Sequence, residues 1–117
     1  MKQLFLFLAF TSLLTAGDNR SLLFHGNCVT CHHEQMSISA PSTNEIKKHY
    51  LQAFPQREDF VSFMSEWVLE PKEETSIMLD AIAKYELMPL LGFDKETLKD
   101  IAGYIYDTEF SKKHKSF

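Results

Sequence analysis

Sulfur is scarce as thiol in this chain: only two of its 117 residues are cysteine. Both fall within one five-residue stretch, so no thiol is left for another role. Glycine is equally sparse, at four residues, and no Gly-rich phosphate loop is present. Positive charge is in deficit. Twelve Lys and Arg face 16 Asp and Glu, a formal net charge of -4, which argues against nucleic acid as a partner. No run of alternating β-branched residues argues for a sheet. No apolar run reaches the ~20 residues that a membrane-spanning helix needs. Internal repeats and low-complexity segments are missing. No carboxylate pair, Ser-His-Asp set or metal triad suggests catalysis, so the chain does not read as an enzyme.

What is present is Cys28-Val29-Thr30-Cys31-His32. C-x-x-C-H is the attachment signature of c-type haem. Two thiols can add across the two vinyl groups of one haem, and the adjoining histidine then stands under the iron as proximal ligand. Other chemistries use similar spacings. A zinc site needs four ligands, usually through a second C-x-x-C or a spaced His pair, and neither follows. A thioredoxin-like redox pair sits between a strand and a helix, and no β-rich run precedes Cys28. A structural disulfide over a two-residue gap is rare. The cofactor expected is therefore one covalent haem c with its iron.

The start of the chain agrees. Met1-Lys2-Gln3 is short and basic, and residues 4–14 are apolar apart from Thr11 and Ser12. Small residues follow, with cleavage expected after Ala16 or Gly17. This is the layout of a secretory signal peptide. Residues 1–16 are read as the leader, 17–110 as one domain and 111–117 as a flexible tail. Covalent haem attachment belongs outside the cytoplasm, so the expected address is the bacterial periplasm, with no stable membrane insertion once the leader is gone. Loss of Lys2 with the leader would leave a formal charge of -5. Ten Phe, five Met, four Tyr and one Trp suit packing around a large apolar plate.

The domain reads as all-α. A first helix is predicted over 18–27, with Asp18 as N-cap. Ser42-Thr43-Asn44-Glu45 has the capping-box pattern and opens a helix over 45–53. A third helix starts near Gln56, with Phe60, Phe63, Met64, Trp67 and Val68 at i, i+3, i+4, i+7 and i+8, and Pro71 ends it. A fourth is predicted over 73–85. Pro89 and Gly92 keep 87–93 a loop. Asp94 caps the last helix, which runs to about Phe110, with Leu98, Ile101, Tyr104 and Ile105 facing in.

Haem iron in electron carriers is commonly held by His and Met, and the thioether raises the potential. Met36 lies too close to His32 to cross to the opposite face. Met64 and Met78 sit in apolar helical stripes and read as core. Met88 stands in a loop stiffened by Pro89, free of helical pitch, and is the candidate distal ligand; the competing reading is a core residue anchoring that loop. His25, placed near the haem rim, His33, His49 and His114 read as solvated, with His49 the one histidine in reach of a bis-His alternative.

These features, in order, resemble a class I cytochrome c of the small bacterial monohaem type. The shared pattern is Leu23-Phe24, Cys28 to His32, Ala40-Pro41, Met88-Pro89 and Tyr104, and it spans nearly the whole domain. The resemblance implies a cytochrome c-like bundle of about five helices wrapped around one haem, with the N- and C-terminal helices crossing. It implies that Cys28 and Cys31 carry the thioether bonds, and that His32 and Met88 ligate iron. Pro41 supplies the carbonyl for His32 Nδ1–H. Phe24 and Tyr104 would meet at the helix crossing, and Tyr50 and Trp67 would line the pocket or reach a haem propionate. The chain departs from the family in two respects. Arg20 stands where a first-helix glycine is common, so Gly103 is expected to give the close approach instead. The stretch from His32 to Met88 is also longer than in the shortest members.

A six-coordinate haem leaves no open iron site, so the expected function is one-electron transfer by a soluble periplasmic monomer between redox protein partners. Lys47, Lys48, Lys84, Lys95 and Lys99 are candidates to steer such a partner. Two alternatives stay open: a cytochrome subunit of a periplasmic oxidoreductase, and a gas-binding or sensor haem protein.

Overall fold

A computed structural model of the chain describes residues 19–111. The expected leader and the tail beyond Ser111 lie outside the described residues. The architecture is all-helical: α1 (Asn19–Asn27), α2 (Thr43–Ala53), α3 (Arg57–Leu69), α4 (Leu79–Tyr85) and α5 (Lys95–Asp107), with a 3-10 turn at Glu73–Thr75. No strand occurs among the described residues, and no described helix is long and apolar enough to cross a membrane.

Capping chemistry sets several of these boundaries. Ser42 Oγ accepts from the Glu45 N–H at 3.1 Å, so α2 begins at Thr43, two residues earlier than the spacing of apolar residues suggests. The reciprocal half of the capping box runs through a third residue. Ser42 N–H donates to Ser37 Oγ at 2.8 Å, and Ser37 Oγ donates to Glu45 Oε2 at 2.9 Å. Asp94 caps α5, accepting from Thr97 N–H and Thr97 Oγ–H at 2.8 and 2.9 Å.

The helix expected over 73–85 is broken. Ser76 has an extended backbone, and its Oγ accepts the Met78 N–H at 3.0 Å, diverting a donor the helix would need. Only α4 remains, and it carries no fully buried side chain. The last helix also stops short. It ends at Asp107, where Lys47 Nζ donates to the carbonyls of Tyr106 and Thr108. The chain then turns extended, and Phe110 drops into the core.

Packing centres on α5. Its most extensive contact is with α3, and α1 lies against it as well. Phe24, Phe60 and Phe110 are fully buried, joined by Tyr50, Met64, Ile101 and Ile105. Phe24 meets Tyr104 at 5.3 Å and Phe110 at 5.5 Å between ring centroids, which is the expected meeting of the terminal helices.

Gly103 does something other than admit the α1 backbone. A Cβ there would stand 2.7 Å from Arg57 Nη2 and 3.6 Å from Arg20 Nη1, so the residue seats guanidinium groups. Arg57 binds Asp107 through Nε and Nη2, both at 3.0 Å, and Arg20 Nη1 reaches the same carboxylate at 3.0 Å. Hydrogen bonds from Arg57, then from Arg20, hold the Asp107 carboxyl below its ordinary range. The cluster ties α1, α3 and α5, but it is substantially exposed and contributes about 0–1 kcal/mol. Alanine in a helix interior is favoured over glycine by about 1 kcal/mol. The two effects oppose one another, so Gly103→Ala is expected to leave stability within about 1 kcal/mol of the parent in urea unfolding. A loss above about 2 kcal/mol, the scale of overpacking, would show that the helices themselves meet there.

Candidate haem site

The C-x-x-C-H segment continues from the end of α1 as a single hydrogen-bonded turn. Cys28 N–H donates to Phe24 O at 2.9 Å, and His32 N–H donates to Cys28 O at 2.8 Å. Positions i, i+3 and i+4 of such a turn share a side, so Cys28, Cys31 and His32 are presented together. They line one cavity of about 250 Å³, and Pro41 and Met88 line it too. Its wall is mainly apolar, with Phe24, Ile46, Leu98 and Ile105 among the contributors.

His32 is oriented by its surroundings. Nδ1 lies 2.8 Å from the Pro41 carbonyl. A carbonyl only accepts, so Nδ1 carries a proton, and in the neutral ring Nε2 then presents a lone pair. Nε2 has no hydrogen-bond partner among the described residues. The Pro41 carbonyl is itself held in place. Thr43 is buried, and its Oγ–H donates to His32 O at 2.8 Å. Thr43 N–H and Asn44 N–H then donate to His33 O and Glu34 O at 2.8 and 2.9 Å. The first turn of α2 is thus stitched to the segment that follows the motif. Sequence reasoning missed Thr43, since it read Ser42 to Glu45 only as a helix start. Nothing local announces a bond back to His32.

The thiols differ. Both are free, Cys28 half-buried and Cys31 exposed. Burial, and secondarily the neighbouring Cys31, pushes the Cys28 thiol up to about 11. It is therefore protonated at neutral pH.

Three methionines line the cavity: Met64, Met78 and Met88. Met88 is half-buried in the loop where the sequence places it. Met64 is buried on α3 within the core, as its helical spacing predicts. Met78 is not inside a helix, contrary to expectation, but directly before α4.

Of the aromatic candidates, Tyr50 is buried against the cavity, and its hydroxyl has no hydrogen-bond partner among the described residues. Burial raises the phenol above its ordinary range, so it stays a neutral O–H donor. Trp67 also lines the cavity, but its indole N–H already donates to Lys72 O at 2.9 Å. That bond removes it as a donor to a propionate. His25 is not part of the cavity wall. Its Nδ1–H donates to Ser21 O at 2.8 Å, and its Nε2 stands 3.0 Å from Glu34 Oε1. His33 Nδ1 accepts from the N–H groups of Gln35 and Met36, and His49 is exposed on α2.

The lysines are mostly engaged. Lys47 closes the end of α5, Lys95 and Lys99 stand within 3.8 and 3.7 Å of Glu66 and Glu96, and Lys84 lies over the Tyr85 ring. No three His, Cys, Asp or Glu side chains among the described residues converge as a site for a metal ion. Cys28, Cys31 and His32 border a broad cavity rather than a point, which suits a plate-shaped group and does not suit tetrahedral zinc. Compared with protein-family models, curated proteins and solved structures, the chain matches none.

Proposed function

We propose that this protein is a periplasmic monohaem c-type cytochrome that passes single electrons between protein partners. The observation that carries the reading is the His32 arrangement: Nδ1 is bonded to the Pro41 carbonyl at 2.8 Å, while Nε2 has no partner among the described residues and stands at a largely apolar cavity that Cys28, Cys31 and Met88 also line. When bound, haem c supplies a reversible one-electron iron couple. Cys28 and Cys31 would hold it through thioether bonds, and His32 and Met88 would ligate its iron. The Pro41 carbonyl keeps the imidazole in the tautomer that ligates and raises its basicity. The apolar wall excludes water and disfavours the more highly charged oxidised state, and the Met88 thioether acts in the same direction. Tyr50 offers an uncharged O–H to a polar edge of the group. Leu87, Leu90 and Leu91 are exposed beside Met88. They form an apolar rim that a transient redox partner can cover.

The cavity wall is mainly apolar, and a bound plate would take that surface out of water, which favours binding at ~25 cal/mol per Å² of apolar area covered.

The test is spectroscopic. The exported protein should give a pyridine adduct typical of haem with both vinyl groups saturated. The reduced form should take up CO slowly, because both axial positions are filled. No covalent haem in the exported chain would overturn the cofactor. Rapid CO binding by the reduced protein would overturn electron transfer in favour of a gas-binding role.

A further inference from the structure

Helical spacing makes Met78 one more core residue of a helix over 73–85. The structure takes it out of that helix. Its backbone is at φ -126 and ψ 60, and it precedes the first residue of α4. Its N–H donates to Ser76 Oγ at 3.0 Å, and its carbonyl accepts from the Ala81 and Ile82 N–H groups at 3.1 and 3.3 Å. The Met78 backbone is therefore pinned on both sides, and the residue packs against the core and lines the cavity that His32 and Met88 also line.

The loop bearing Met88 is held quite differently. Residues 87–93 neither donate nor accept a hydrogen bond among the described residues. Two residues have positive φ here, Glu86 at φ 73 just before the loop and Gly92 at φ 75 near its end. Leu87, Leu90 and Leu91 are exposed along it. Few backbone hydrogen bonds and little burial place such a segment at the low end of local stability, so it opens before the helices do. Met64, the third methionine at the cavity, is a buried residue of α3 and fills core space.

We infer that Met78 is a second thioether ligand for the iron, taking the distal position when the Met88 loop opens. This rests on the haem reading above. The exchange breaks one dative sulfur–iron bond and forms another. Both donors are neutral thioethers, so no proton or electron moves and the charge at the site is unchanged. The loop can then repack against a partner without admitting water or a gas to the iron.

The full exported, haem-loaded chain is compared with Met88→Ala, Met78→Leu and the double variant. The readouts are the long-wavelength charge-transfer band of thioether-ligated ferric haem and the CO affinity of the ferrous form. Met78→Leu should keep the parent band. Met88→Ala should keep a band, shifted in position. The double variant should lose it and bind CO about tenfold more tightly than Met88→Ala, as follows when an internal competitor holds the site nine-tenths of the time. Loss of the band in Met88→Ala alone, with covalent haem retained, overturns the inference and leaves the cytochrome reading standing. Persistence in the double variant also overturns it and points to Met64. Loss in Met78→Leu alone would make Met78 the resident ligand and overturn its assignment as the second. Met88→Leu, closer in volume, answers the same question should Met88→Ala fail to mature. An unmodified chain without covalent haem is the separate failure of the cytochrome reading.

Discussion

If the chain carries haem c as proposed, changing Cys28 and Cys31 both to serine is expected to abolish covalent haem and to lower the thermal unfolding midpoint. The chemical part follows from the side chains. A thiol adds across a vinyl group and a serine hydroxyl does not, and the chain has no third cysteine to substitute. The stability part follows from the cavity wall. Haem, as proposed, would cover the mainly apolar surface that Phe24, Ile46, Leu98 and Ile105 present, and a chain that cannot hold it covalently loses that gain. Circular dichroism melts of parent and double variant, beside the pyridine adduct of each, measure both effects. Haem that survives denaturing electrophoresis in the double variant would sink the attachment assignment. A parent-like melt would show that the cavity closes without help.

Phe24→Ala is expected to cost about 3–5 kcal/mol, among the largest losses available from a single residue. The ring is fully buried, packs on Tyr104 and Phe110, and also forms part of the cavity wall. It therefore joins α1 to α5 and to the chain end beyond α5, and it bounds the site as well. Truncation opens a hole continuous with the cavity, so little collapse can relieve it. Urea unfolding of the variant beside the parent reads the loss directly. A change below about 1 kcal/mol, the scale of an ordinary surface substitution, would mean that the terminal helices are held by something other than this ring.

Much of the helix plan was readable because its causes are local. Ser42 and Asp94 cap the helices they precede, and Pro71 lies just past the end of α3. The split at Met78 was unreadable because periodicity continued through it. A serine hydroxyl two residues away captured the donor, and apolar spacing carries no record of that. Lys47 looked like one of several surface cations, and the Tyr106 and Thr108 carbonyls at the end of α5 that hold it lie some 60 positions along the chain. Gly103 invited a reading as a helix contact. The guanidinium seated on it comes from Arg57, in another helix.

The candidate site divides the same way. Cys28, Cys31 and His32 share a side because three and four residues make one turn, so their grouping was present in the spacing itself. The tautomer of His32 was not. It depends on the Pro41 carbonyl at 2.8 Å, positioned by hydrogen bonds that Thr43 and Asn44 make back to the motif segment. Nor could spacing show that Met64, Met78 and Met88 reach one cavity from a helix, a junction and a loop. Bonds within a turn repeat with its pitch and can be counted along a chain. Which distant side chains share a cavity depends on how helices pack, and that is an energy summed over the whole core.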